Sequence, residues 1–236
     1  MLLNQPAAAP AQNRLIALLP PADRKRILER CERRVHEVEE VLAEDGKPIR
    51  HAWFPTTGVI SQIQPSEAGW IEVALVGHEG MVGVGLVLGV SKSLVIATIQ
   101  APGEILHLSA RHFKAEIDGN PAFRKLINAY TYAQMKQVAL AAACNRFHLV
   151  EQRLARWLLM ASDRVRSRRF RMTHDVLAQM LGVRRPGVTS AASALQARGL
   201  IRYHRGVLDV LDRPGLEKAS CECYRLQLEA YNDVVK

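Results

Sequence analysis

The sequence predicts an α+β fold in three consecutive parts: a strand-rich first half, a long helix, and a C-terminal part of helices and a hairpin. Short β-branched or alternating segments separated by turn residues fill residues 33–109. Apolar residues then recur at helical spacing up to Ser162. The last segment places a glycine between two short amphipathic stretches. With 236 residues and 48% apolar content, two domains are expected.

The N-terminal domain is predicted over residues 1–120. Residues 13–31 place apolar side chains at helical spacing on both sides of Pro20-Pro21, which predicts two short helices. The strand-like segments that follow are separated by Gly, Pro, Asp and Ser turns. They predict an antiparallel β-barrel or β-roll of about six to eight strands.

A long helix is predicted after Asn120-Pro121, because proline suits the first position of a helix. It continues to Ser162 as one helix or as two nearly collinear ones. A long, partly apolar helix between two domains usually needs a partner, so we expect residues 121–145 to form a homodimer. The alternative is an ordinary core helix packed within one chain. The predicted stripe comprises Phe123, Leu126, Ile127, Tyr130, Gln134, Gln137, Val138 and Ala141.

Positive charge is concentrated in one segment. Residues 145–210 hold 13 Arg, no Lys and four acidic residues, so they carry the whole net charge of +9. Guanidinium groups match phosphate oxygens and guanine edges, so a neutral body joined to an arginine-only segment is typical of a polyanion-binding protein. A solvated basic face is the alternative.

Residues 172–211 divide into helix, turn, helix and hairpin, within a predicted C-terminal domain over residues 146–236. Thr173 is a good N-cap, and Gly182 lies where the first helix must turn sharply. The second helix is predicted at 184–197, and its N-terminal end would enter a DNA major groove. The hairpin would form a wing with its tip at Arg205. Candidate DNA-binding residues are Thr173, His174, Arg184, Arg185, Thr189, Ser190, His204 and Arg205.

This region resembles the Crp/Fnr family of transcription regulators. The resemblance is strongest in LAQMLGVRRPGVTSAASALQARGLIRYHRG, and Phe54, Pro55 and Gly58 are similar to the FP..G pattern of many members. It implies a cyclic-nucleotide-binding-like β-roll, a dimerisation helix and a winged helix-turn-helix. It also implies binding to double-stranded promoter DNA beside RNA polymerase.

The recognition helix departs from the family's Arg-Glu-x-Val-x-Arg pattern. Arg185 and Val188 match, whereas Pro186 replaces the Glu and Ser190 replaces the second Arg. The family's best-known DNA site is therefore not expected for this chain.

The effector pocket departs further from the family's nucleotide binders, which show a Gly-Glu pair followed by Arg-Ser or Arg-Thr. Its candidate residues here are Gly83, Gly85, Ser91, Lys92 and Ser93. Gly83-Val84-Gly85 lacks the Glu, and the later segment offers only Lys92 as a cation. No cofactor is predicted, and cyclic nucleotide binding is not expected.

The cysteines leave one alternative function open, a redox or metal switch at Cys221 and Cys223. The sequence offers only Cys31, Cys144 and distant histidines as further ligands for such a switch. The four cysteines lack the clustered spacing of an iron–sulfur site. Haem requires only one His ligand, but His36, His51, His78 and His107 are interpreted as surface or turn residues.

A cupin-type enzyme on the β-roll is a more remote alternative, because no His-x-His pair followed by Glu occurs. The chain is therefore predicted not to be an enzyme. It shows neither a signal-peptide pattern nor an apolar stretch long enough for a membrane span, so a cytoplasmic location without membrane contact is expected.

Overall fold

A computed structural model describes residues 12–236 except Ala68. Its first half confirms the two short helices, α1 (Arg14–Ala17) and α2 (Pro21–Arg30), and the antiparallel β-roll. The strands are β1 (Cys31–His36), β2 (Val41–Ala43), β3 (His51–Pro55), β4 (Val59–Ser66), β5 (Gly69–Val76), β6 (Ile96–Ala101) and β7 (Gly103–Ser109). They form two sheets with strand orders β1-β7-β3 and β2-β6-β4-β5.

Strand β3 shows how the roll is filled on both sides. Successive side chains of a strand point to opposite faces, so Trp53 packs inside the roll with Ile60 and Ile99. Phe54 points the other way, onto the helices, where it packs with Phe113. Because both faces of β3 are buried, its sequence is continuously apolar rather than alternating.

The helical region predicted after Asn120-Pro121 is interrupted once, at residues 148 and 149. Helix α3 (Ala110–Gly119) precedes α4 (Pro121–Phe147), which starts with the Asn120 side chain accepting a hydrogen bond from the Phe123 backbone N–H. His148 and Leu149 are extended, with ψ angles of 147° and 151°, and α5 (Val150–Val165) follows. Two extended residues in succession end one helix before the next begins, so two helices rather than one cover this region.

Most of the predicted stripe of α4 is covered by the same chain rather than left free for a partner. Phe123, Ile127 and Tyr130 are buried against α1, α3 and the β-roll of the same chain. Helical periodicity reports that a face is covered but not by which element. Exposed apolar side chains lie on another face of α4, including Tyr132 and Met135, which are 62% and 66% exposed.

The C-terminal part contains the predicted helices and hairpin, together with elements that the sequence pattern missed. One of these is a strand, β8 (Arg169–Arg171). It pairs with β10 (Val207–Val210), which also pairs with β9 (Ile201–His204), so the three strands form a sheet in the order β8-β10-β9. Two helices also follow the hairpin. The elements are β8 (Arg169–Arg171), α6 (His174–Leu181), α7 (Arg185–Ala197), β9 (Ile201–His204), β10 (Val207–Val210), α8 (Arg213–Ala219) and α9 (Cys223–Val234).

Helix α5 joins the two halves through a buried polar contact. The carboxylate of Glu72 on β5 accepts hydrogen bonds from Trp157 Nε1 at 2.7 Å and from Ser61 Oγ at 2.6 Å. Burial raises the pKa of Glu72 to about 7, although both hydrogen bonds oppose the rise. Arg164 on α5 donates to the Leu75 backbone carbonyl at 2.8 Å. The two halves therefore share polar as well as apolar contacts.

Two histidines expected at the surface are buried in the β-roll. His36 and His107 are 7% and 5% exposed, and their Nε2 atoms lie 2.8 Å apart. Burial lowers the pKa of His107 to about 4, and the neighbouring His36 and His51 lower it further. The expectation failed because β1 and β7 pair in the sheet and bring together side chains from distant parts of the chain.

Across residues 12–67 and 69–236, none of the helices has the length and apolar character needed to span a membrane.

Candidate nucleic-acid interface

The turn between α6 and α7 fixes the angle of the two helices. Thr173 Oγ1 accepts a hydrogen bond from the Val176 backbone N–H at 3.2 Å, so the predicted N-cap is confirmed. Gly182 ends α6 with a φ of +60°, a conformation that disfavours side chains. A Cβ at Gly182 would also lie 2.8 Å from Ile71 Cδ1 on β5. The positive φ is therefore the main reason for glycine here, because the end of the flexible Ile71 side chain can move to make room for a Cβ.

The N-terminal end of α7 is presented to solvent. Arg184, Arg185, Thr189 and Ser190 are all exposed, whereas Val188 is fully buried. Arg184 occupies the N-cap position without a side-chain capping bond. The first backbone N–H groups of a helix lack partners within it, so this end adds positive potential to that of the arginines.

Arg185 already has a carboxylate neighbour. Its Nε lies 3.4 Å from Asp175 Oδ1, and both side chains are about two-thirds exposed. An exposed ion pair contributes only about 0–1 kcal/mol. The guanidinium of Arg185 is consequently free to exchange this partner for another acceptor.

His174 connects three elements rather than facing solvent. Its Nδ1 lies 3.0 Å from Thr189 Oγ1 on α7, and its ring stacks on Tyr203 of β9 with centroids 4.3 Å apart. Burial lowers the pKa of His174, and the positive charge of Arg185 lowers it further. His174 therefore positions α6, α7 and the hairpin relative to one another.

The hairpin turns at Arg205 and Gly206, whose φ angles are +48° and +75°. Two consecutive positive φ values are typical of the tight turn that joins two strands. His204 and Arg205 are exposed at this tip. Arg171, which the sequence analysis did not select, pairs with Val207 across β8 and β10 and so lies beside the tip. The basic stretch at 168–171 was its only sequence signal.

The positive charge of residues 145–210 is not all on the surface. Arg153, Arg156 and Arg164 of α5 are buried, which the sequence count could not reveal. Others are exposed and form no ion pair with the described part of the chain: Arg146, Arg166, Arg168, Arg171, Arg184, Arg202 and Arg205. Arg171, Arg184 and Arg205 flank the face formed by the N-terminal end of α7 and the hairpin tip.

Comparison with known families bears directly on this unit. A model of the Crp-like helix-turn-helix domain matches residues 152–219, which include most of α5, the turn and the hairpin. Residues 152–219 are a Crp-like helix-turn-helix domain. The match ends with α8 and does not include α9. No curated protein sequence matches the chain.

Solved structures show that most of the chain has the fold of Crp/Fnr-type regulators. A Crp/Fnr-family transcriptional regulator from Eubacterium rectale aligns with a TM-score of 0.68 at 17% identity, over 87% of this chain and 96% of that one. The c-di-GMP-responsive global regulator CLP of Xanthomonas campestris aligns with a TM-score of 0.67 at 18% identity, over 81% of this chain and 99% of that one. FixK2 of Bradyrhizobium japonicum aligns with a TM-score of 0.68 at 12% identity, over 81% of this chain and 98% of that one.

A cavity of about 580 Å³ lies between the β-roll and α4, where the effector pocket was predicted. Gly83, Gly85, Lys92 and Ser93 line it, whereas Ser91 is not part of its wall. The Ser93 hydroxyl donates to the Val95 backbone carbonyl at 2.7 Å. Most other lining side chains are apolar, among them Ile49, Trp53, Val82, Leu88, Leu94, Val95, Met135 and Val138.

The cysteines lie in a different arrangement from the one expected. The structure brings Cys144 and His148 next to Cys221 and Cys223, so the expectation that further ligands are distant is wrong. A hydrogen bond from the Cys221 thiol lowers the pKa of Cys144 to about 5, burial opposes this, and the charge of Arg156 assists it. The same hydrogen bond and burial raise the pKa of Cys221.

Proposed function

We propose that this chain is a transcription regulator of the Crp/Fnr type that binds double-stranded DNA as a homodimer and catalyses no reaction. The observation that carries the proposal is the exposed basic face at the N-terminal end of α7. Arg184 and Arg185 project from this end, and Arg171 and Arg205 lie at the adjacent hairpin. This face belongs to the Crp-like helix-turn-helix domain.

In the proposed complex, the N-terminal end of α7 enters the major groove and Arg185 donates two hydrogen bonds to O6 and N7 of one guanine. Such a contact discriminates by about 1–3 kcal/mol. The exposed ion pair with Asp175 that it replaces contributes less, so the exchange favours DNA. Ser190 and Thr189 are shorter and contribute to base or phosphate contacts nearby.

The hairpin and β8 supply the sequence-independent part of the interaction. Arg205 at the tip, His204 beside it and Arg171 on β8 contact phosphates on either side of the groove. These contacts set the register of α7 on the duplex. Thr173 and His174 act mainly by positioning, since one caps α6 and the other connects α6, α7 and β9.

The proposed dimer forms along the exposed face of α4. Tyr132, Met135, Ala139 and Ala142 follow one another at intervals of three or four residues, and all are exposed. This spacing forms a continuous seam on one side of a helix. A seam of apolar side chains that the chain itself leaves uncovered is suited to a second copy of α4 related by a two-fold axis.

The proposed domain organisation is a sensor domain over residues 1–120, a dimerisation helix over 121–145 and a DNA-binding domain over 146–236. The family resemblance extends the proposal to promoters and to contact with RNA polymerase in the cytoplasm. The cavity beside α4 would hold an effector, and its apolar wall argues against a cyclic nucleotide.

Arg185→Ala tests the placement of α7. In selection of bound sequences from a random duplex pool, it should relax the preference at one guanine per half-site, by about 5- to 150-fold for a loss of about 1–3 kcal/mol. Arg198→Ala is the matched control, because Arg198 follows the C-terminal end of α7 and pairs with Glu151. Unchanged affinity and specificity in Arg185→Ala would contradict the proposal.

A further inference from the structure

Four side chains with metal-binding atoms converge where α4 ends. Their ligand atoms, the Sγ atoms of Cys144, Cys221 and Cys223 and a ring nitrogen of His148, all lie within 4.8 Å of one another. Cys144 is in the last turn of α4, and His148 caps that helix. Cys221 lies between α8 and α9, and Cys223 begins α9. The site therefore joins three parts of the fold.

The distances match the size of a tetrahedral zinc site. With Zn–S bonds of about 2.3 Å, neighbouring ligand atoms are about 3.8 Å apart. Cys144 Sγ and Cys221 Sγ are 3.5 Å apart, and Cys223 Sγ is 3.7 Å from His148 Nδ1. Ligand atoms this close surround one ion. In an iron–sulfur cluster the four protein ligands are divided over two or four iron atoms, so they do not all surround one ion.

The histidine is oriented for coordination by a carboxylate on its far side. His148 Nε2 lies 3.1 Å from Glu222 Oε1. When the Nε2–H group donates a hydrogen bond to Glu222, the imidazole is in the tautomer whose Nδ1 carries a lone pair. This lone pair is directed toward Cys223. Metal-binding histidines commonly donate their second ring N–H to a carboxylate in this way.

A buried positive charge lies beside the three thiols. Arg156 is 7% exposed, its Nε has no hydrogen-bond partner in the described part of the chain, and its charge acts on Cys144. No ion pair between Arg156 and a carboxylate occurs there either. The charge of Arg156 also acts on the Glu72 carboxylate, but the two form no ion pair, and a buried charge without an ion-pair partner is costly. Zn²⁺ with three thiolates and one neutral imidazole has a net charge of −1, which would compensate Arg156.

We propose that Cys144, His148, Cys221 and Cys223 hold one Zn²⁺ that fastens the α8–α9 connection to the end of α4. Any proton still held by a thiol is released as its sulfur binds the ion, and the oxidation states of sulfur and zinc do not change. His148 and Leu149 separate α4 from α5, so the ion would fix the segment that connects the long helix to the DNA-binding domain.

Cobalt titration of the reduced, metal-free full chain tests the site. We expect one Co²⁺ per chain, with the visible d–d absorption and thiolate-to-cobalt charge transfer of a tetrahedral site, and displacement by Zn²⁺. Cys31→Ser is the matched control, since this half-buried cysteine lies outside the cluster and should bind one Co²⁺ unchanged. Glu222→Gln should weaken Zn²⁺ binding about 10- to 100-fold, and Cys223→Ser and His148→Ala by more.

Thermal unfolding followed by circular dichroism keeps the test independent of folding defects. Zn²⁺ should raise the Tm of the wild type and of Cys31→Ser, but should not raise that of a folded Cys223→Ser variant. The proposal is overturned if the reduced wild type binds no stoichiometric Co²⁺ or Zn²⁺. It is equally overturned if Cys223→Ser and His148→Ala bind like the wild type, or if oxidation links Cys144 to Cys221 in a chain that never binds metal. None of these readouts involves DNA.

Discussion

Glu72→Gln should stabilise the protein above neutral pH and leave it nearly unchanged in acid. The Glu72 carboxylate is buried between β5 and α5, where it accepts hydrogen bonds from Ser61 and Trp157. A glutamine is similar in shape, and its oxygen can accept the Trp157 bond. Its amide can donate to Ser61 Oγ. The substitution therefore removes an ionisation and keeps the packing.

The magnitude follows from the pKa of Glu72, which burial raises from 4.5 to about 7. At about 1.4 kcal/mol per pKa unit, this rise corresponds to about 3 kcal/mol. The folded state binds the proton more tightly than the unfolded state, so the stabilisation is fully present below pH 4.5 and is lost as the pH rises through about 7. A glutamine side chain does not ionise, so the Glu72→Gln variant does not lose this stabilisation as the pH rises.

The assay is urea unfolding followed by far-ultraviolet circular dichroism at several pH values between 4.5 and 8. The free energy of unfolding of Glu72→Gln minus that of the wild type should increase by about 3 kcal/mol across this range. His107, whose pKa is lowered to about 4, makes an opposite contribution, but it is present in both proteins and cancels in the difference. Glu44→Gln, at an exposed carboxylate, is the control. A difference that does not change with pH would refute the reasoning.

Two further substitutions test the DNA and dimer surfaces. Arg205→Ala should weaken binding to all duplex sequences about equally and reduce the slope of affinity against salt by about one, measured by fluorescence anisotropy. A selective loss at one base would place Arg205 in a base contact instead. Met135→Glu should convert a dimer into a chain of 26.3 kDa in sedimentation, whereas Lys136→Glu, next to the seam, should not. A wild type that sediments as a monomer at micromolar concentration would contradict the dimer.

Local sequence patterns were sufficient to predict the helix-turn-helix. Thr173, Gly182 and the Arg205-Gly206 turn each have a chemical requirement that short stretches of sequence reveal: a capping oxygen, a positive φ and a tight hairpin. The β-roll was predictable for the same reason, because its strands are short and separated by turn residues. The roles of individual DNA-binding residues remain predictions.

Contacts between residues that are distant in the sequence could not be predicted. The apolar stripe containing Phe123 and Ile127 was correctly identified as covered, but its partner is the same chain. Cys144 and Cys221 are 77 positions apart, and only the return of α9 along α4 brings their sulfur atoms within 3.5 Å. The count of arginines likewise could not distinguish the buried Arg156 from the exposed Arg184.

The contact between the two halves bears on how the proposed sensor domain would act on the proposed DNA-binding face. The back of the helix-turn-helix lies on the β-roll: Gly182 approaches Ile71, and Met180 lies 3.8 Å from the hydroxyl of Ser61. The opposite side of the same turn, with Arg184 and Arg185, remains exposed. The β-roll therefore holds the orientation of α7 without covering its DNA-binding end. In the proposed dimer, a change in the roll would alter DNA binding by reorienting α7, rather than by uncovering it.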